Sequence, residues 1–205
     1  MFNLDKKSKI YIVDFLNIFS DFREVKYKRE NIDFHHIKHT NKTKDTYDFF
    51  ELFFTKYIDY VKIDKMSKFY FVMKKLNNSE NLLNDIIKIY SKFYIKFIII
   101  EDQYTNTILD KNKDDFLCQY FFYILSQNNF CTLISNDKYR DKLTYIKLFN
   151  FDISLQTITL NRKDNTVSLE KSCLKIKITK TINEKLVSQK YTRCTIPKQK
   201  LNNIL

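Results

Sequence analysis

The chain has 205 residues, a formal net charge of +12 and a pI near 9.3, with no glycine, one proline and no tryptophan. That length fits one domain with a small appendage and is long enough to bury a real core. It also lacks alanine, and Lys, Asn, Ile, Phe and Tyr dominate, which implies an AT-rich coding sequence such as that of a large DNA virus, a parasite or an organelle.

Codon bias weakens the charge argument. Arginine occurs only at positions 23, 29, 140, 162 and 193, so 31 of the 36 basic residues are lysine. Basicity therefore permits a polyanionic partner without demonstrating one. Cys118, Cys131, Cys173 and Cys194 lie far apart, and no histidine follows His39, which argues against a structural zinc site. Reduced thiols in a soluble, cytoplasmic, intracellular protein are the expectation. The N-terminus has no apolar signal core, and no greasy stretch reaches membrane-spanning length, so no membrane partner is expected.

In chain order, Lys9 to Val13 is a nearly all-apolar run suited to a strand buried on both faces, with Asp14 at its tip and Asn17 three residues on. Residues 20–46 are polar and mixed in charge, and they read as a long loop holding His35, His36 and His39. Exposed loop histidines are the better reading of that cluster, because adjacent histidines point different ways. Apolar positions at 49/50, 53/54, 57/58 and 61 mark an amphipathic helix. Phe69 to Met73 is a second strand. A helix capped by Asn78 or Ser79 follows, and Ile95 to Ile100 is a third strand ending at Glu101 and Asp102. After a polar segment, Asp114 opens a third helix burying Leu117, Cys118, Phe121, Phe122, Ile124 and Leu125, and Phe130 to Ile134 is the fourth strand.

The order β-α-β-α-β-α-β predicts an α/β fold: a parallel sheet with helices on both faces, whose strand tips emerge on one edge. Strand-like runs at 153–160 and 166–178, joined by Asn161 to Asn165, predict a β-hairpin on that sheet, since Asn and Asp tolerate left-handed backbone without glycine. From residue 179 onward the chain reads as a basic, loosely ordered tail. The division expected is 1–149 for the α/β domain, 150–178 for the hairpin and 179–205 for the tail.

Asp14, the Asp114–Asp115 pair and Asp137 then lie at strand tips or helix starts on one edge. Clustered carboxylates repel unless a cation sits between them. Hard oxygen ligands suit Mg²⁺ or Mn²⁺, which can activate water against a phosphodiester. The bland alternative is local capping, because Asp and Asn are common at strand ends and helix N-termini.

Ile12-Val13-Asp14-Phe15-Leu16-Asn17 is similar to the first-strand signature of NYN/PIN-type ribonucleases. Asp114-Asp115-Phe116 with its helix, then Ser135-Asn136-Asp137-Lys138-Tyr139-Arg140-Asp141, resembles the second half of the Regnase (MCPIP) catalytic domain. The resemblance brackets residues 9 to about 149 and implies a Mg²⁺- or Mn²⁺-dependent endoribonuclease with a PIN-like fold, leaving 3′-hydroxyl and 5′-phosphate ends. It implies that Asp14, Asp115 and Asp137 hold or water-bridge the metal, with Asp114 as the fourth acid. Asn17 would orient the ligand shell, and Ser135 and Asn136 would shape the turn presenting Asp137. Arg140 would contact phosphate or pair with Asp141. Two departures stand out: Phe15 replaces a small residue and threatens to narrow the approach to the metal, and the zinc finger of animal Regnases is missing. The expected partner is RNA in single strands or loops, as in messenger turnover. A catalytically silent RNA-binding module and a structure-specific DNA nuclease remain open, as does self-association.

Overall fold

A computed structural model describes residues 9–33, 42–60, 63, 66–75, 79–101, 113–137, 150–188, 193–195 and 198–204. Its centre is a seven-stranded sheet in the order β6-β5-β3-β2-β1-β4-β7. The strands are β1 (Lys9–Asp14), β2 (Lys68–Lys74), β3 (Tyr94–Ile100), β4 (Phe130–Ile134), β5 (Asn150–Asn161), β6 (Thr166–Lys177) and β7 (Arg193–Cys194). β3, β2, β1 and β4 run parallel. β5 pairs antiparallel with β3 and with β6, and β7 adds in parallel to β4, so the sheet is mixed.

The helices are α1 (Phe15–Arg29), α2 (Lys42–Leu52), α3 (Ser79–Ile89), α4 (Lys113–Ser126), α5 (Lys180–Ser188) and α6 (Lys198–Ile204). α2 runs on through a π-helical turn at Phe53–Tyr57 and a last turn at Ile58–Tyr60. Period-two alternation in the strands divides the core between the two faces of the sheet. Phe69, Phe71, Met73, Phe97 and Ile99 face α1, α2 and α3 in an aromatic-rich cluster. Ile10, Ile12, Val72, Ile98, Leu133 and Leu155 face α4 and α5.

Three expectations are corrected here. Within the stretch 20–46 expected as loop, residues 42–46 begin α2, and residues 20–29 complete α1, which buries Phe15, Ile18, Phe19, Phe22 and Val25 at helical spacing. Its polar residues Arg23 and Lys26 hid this pattern, because they are turned inward toward Asp45 of α2. Arg23 Nε lies 2.6 Å from Asp45 Oδ2, Lys26 Nζ 2.8 Å from Asp45 Oδ1, and the Tyr27 hydroxyl 2.9 Å from both oxygens. Burial pulls the Lys26 pKa down, but hydrogen bonds to Asp45 and Asp48 outweigh it and hold the ammonium protonated well above its ordinary range. The second correction is the tail. The described residues after 179 form α5, β7 and α6, with Leu186 and Leu201 buried in the two clusters. Lys198 meets Glu24 at 2.8 Å and Asp21 at 3.4 Å. Within α4, Ile124 is exposed rather than buried, and Phe116 takes a core position instead.

A chain without glycine needs other residues for left-handed backbone. Asn31, just past α1, and Asn165, in the turn between β5 and β6, have φ of 57°. The Asp164 carboxylate accepts from the Thr166 N–H at 3.0 Å and Asn161 Oδ1 from the Lys163 N–H at 3.1 Å, which locks that turn. No helix among the described residues is long and apolar enough to cross a membrane.

Candidate metal centre

β1 ends at Asp14 in the middle of the parallel strands, flanked by β2 and β4. The residue stands at the N-cap of α1, yet its side chain makes no capping hydrogen bond. Local capping therefore does not account for a carboxylate that is 1% exposed. Ser135, fully buried just past β4, donates its hydroxyl to Asp14 Oδ2 at 2.9 Å. Ser135 Oγ also lies 3.3 Å from Asn17 Oδ1, but a hydroxyl carries one proton, and the shorter contact takes it.

Asp114 and Asp115 open α4 and are both buried. The positive end of the helix favours carboxylates there. One oxygen from each of Asp14, Asp114 and Asp115 lies within 4.8 Å of the others. An ion with oxygen ligands at about 2.1 Å spans about 3 Å between adjacent and about 4.2 Å between opposite ligands, so this spacing fits a single Mg²⁺ or Mn²⁺. The donor set fits as well, being carboxylate only, without thiol or imidazole.

Lys74, the last residue of β2, brings its Nζ to 2.9 Å from Asp114 Oδ1. That ammonium places one positive charge directly beside the three carboxylates. Sequence reasoning missed Lys74, although a lysine closing the buried run Phe69 to Met73 at a strand tip was visible.

Asp137 is outside this group of three. Its backbone N–H donates to Ser135 Oγ at 3.1 Å, on the rim of the edge. Asn17 Oδ1 accepts from the Asn136 N–H at 2.9 Å, and Asn136 Nδ2 donates to Asp21 Oδ2 at 2.6 Å. Asn17 thus holds the turn after β4 against α1, where a role in the ligand shell was expected. Glu101 also lies on this edge, near Lys171 at 3.5 Å and Lys75 at 3.9 Å. Arg140, Asp141, Asp102 and the histidines at 35, 36 and 39 lie outside the described residues. The Phe15 ring, which threatened to narrow the approach, points the other way: it is fully buried, stacked on Phe19 and Phe50 at centroid distances of 5.0 and 5.5 Å.

No family model, no curated protein and no solved structure matches the chain.

Proposed function

We propose that the chain is a Mg²⁺- or Mn²⁺-dependent nuclease acting on RNA, built on a PIN-like sheet. The observation that carries this reading is the group of three buried carboxylates gathered at one edge of the sheet, with one oxygen of each within 4.8 Å of the others, a crowding that like-charge repulsion opposes and a divalent ion relieves. The parallel centre of the sheet, with helices on both faces, is what the NYN/PIN resemblance implied and supports the same reading.

Asp14, Asp114 and Asp115 would hold the ion. Once bound, it supplies a nucleophile from water at neutral pH and polarises a phosphoryl oxygen. Ser135 fixes the Asp14 carboxylate by its hydrogen bond. Lys74 places positive charge on the same edge, where it favours the phosphate backbone. Asp137, held beside Ser135 by its backbone N–H, would contribute to the ion's outer, water-bridged ligands.

The test is cleavage of labelled single-stranded RNA by the purified protein in Mg²⁺, Mn²⁺ or EDTA, with single-stranded and flap DNA in parallel. Metal-dependent cutting that disappears in Asp114→Asn is expected. RNA left intact in both metals, or cut equally by Asp114→Asn, would overturn the reading.

A further inference from the structure

At the opposite end of the sheet from the acids, the face that carries α4 and α5 presents an array of tyrosines and cations. Tyr70 and Tyr94 sit diagonally on neighbouring strands with ring centroids 6.5 Å apart. Their direct cross-strand neighbours are lysines: Lys96 beside Tyr70 and Lys68 beside Tyr94. Lys68 Nζ lies 5.5 Å from the Tyr94 ring centroid, Lys96 Nζ 5.7 Å from that of Tyr70, and Arg162 Cζ, from the turn between β5 and β6, 5.6 Å from that of Tyr94. The alternation of β2 and β3 puts all four strand residues on this face, because Phe69, Phe71, Ile95 and Phe97 take the other.

Three features set this surface apart from a solvated strand face. None of Lys68, Lys96 and Arg162 has a salt-bridge partner among the described residues, so three positive charges stand together uncompensated. Tyr70 and Tyr94 are partly buried, and each ring has a neighbouring ring and at least one cation in contact distance. Among the described helices on this side, α4 packs on β1, β4 and β2, and α5 joins the cluster of Ile153, Ile176 and Ile178. Neither accounts for the outer ends of β2 and β3.

We propose that this face binds single-stranded nucleic acid: bases stack on Tyr94 and Tyr70, and phosphates meet Lys68, Lys96 and Arg162. The chemistry selects that partner. Every base offers a π face to an ordered tyrosine, the uncompensated cations match a phosphodiester backbone, and a duplex keeps its bases stacked inside. Counting along β2 from Lys68 to Lys74, the surface lies about 20 Å from the acids, within reach of one bound strand. The proposal deepens the nuclease reading by giving it a single-stranded substrate, but it requires no metal.

The experiment measures binding of a fluorescent oligouridine to the full chain in EDTA, by anisotropy across a salt series. Lys96→Gln with Arg162→Gln is expected to weaken binding and to flatten the plot of log affinity against log salt by about 0.7 for each cation removed. Tyr94→Leu is expected to cost roughly tenfold in affinity with the salt slope unchanged. Lys44→Gln with Lys88→Gln, on the opposite side, is the control that should bind as wild type, and thermal melting confirms that each variant is folded. The proposal is overturned if wild type fails to bind the oligouridine, if a duplex binds as tightly, or if the control pair weakens binding as much as the Lys96 and Arg162 pair. A deoxyoligonucleotide arm tells which sugar is preferred. Binding without cleavage in Mn²⁺ would remove the nuclease reading and leave this one standing.

Discussion

At the scale of single residues, Lys74 decides how the acids behave without metal. Its ammonium is the cation seen 2.9 Å from Asp114, in surroundings where both side chains are largely buried. Removing one partner of such a pair leaves a charge uncompensated, at a cost on the order of 3 kcal/mol. Lys74→Met should therefore melt lower than wild type in EDTA and recover much of the difference in Mn²⁺, since a ligand bound only by the folded state stabilises it. An equal melting-temperature loss in both buffers would show that Lys74 does not share charge with the ion. Cysteine chemistry follows from burial in the same way. Cys131 is buried, and that pushes its thiol up to about 11 from an ordinary 9.0. The unfolded thiol ionises first, so this residue's contribution to folding stability is intact below pH 9 and declines toward pH 11. Alkylation of the native protein at neutral pH should label Cys173, which is exposed, and spare Cys118 and Cys131. Labelling of Cys131 as fast as Cys173, followed by mass spectrometry, would contradict this.

At the scale of elements, the four parallel strands were legible because each is a short apolar run followed by a polar residue, as Val13 gives way to Asp14 and Ile134 to Ser135, whereas the two-residue β7 carries no such signal. α1 was less legible. Its apolar spacing from Phe15 to Val25 is regular, but Arg23 and Lys26 lie on the buried side, where a hydropathy reading expects hydrocarbon. Their position makes sense only with Asp45, which is distant in sequence and completely buried. The site divides similarly. Asp14, Asp114 and Asp115 could be brought to one edge by topology, whereas the Lys74 contact and the engagement of Asn17 with the Asn136 backbone depend on side-chain directions that no spacing encodes. Asp45→Ala removes the acid from beneath Arg23, Lys26 and Tyr27, and should destabilise the fold by about 3 to 5 kcal/mol. Urea titration gives that value directly; a loss under 1 kcal/mol would mean that water compensates the cations.

At the scale of the whole molecule, the sheet joins segments that composition divides. The β5–β6 pair extends one side of the parallel strands through β3, and β7 closes the other against β4, the strand that leads into Ser135. The last stretch of chain looks expendable by charge and polarity, but it puts Leu186 into the core on one face and Leu201 into the core on the other. Fully burying two such side chains is worth roughly 1.5 to 3 kcal/mol each. A domain of this kind holds only about 5 to 15 kcal/mol in all. The truncated chain ending at Ile178 also loses the Lys198 contacts that brace Asp21 and Glu24 of α1. Asp21 in turn accepts from Asn136, in the turn beside Ser135 and Asp14. Truncation should therefore lower the urea midpoint sharply and also weaken Mn²⁺ binding, though it removes none of the three carboxylates. Loss of stability with intact metal affinity would limit the C-terminal segment to packing. An unchanged midpoint would return residues 179–205 to the role of a loose tail.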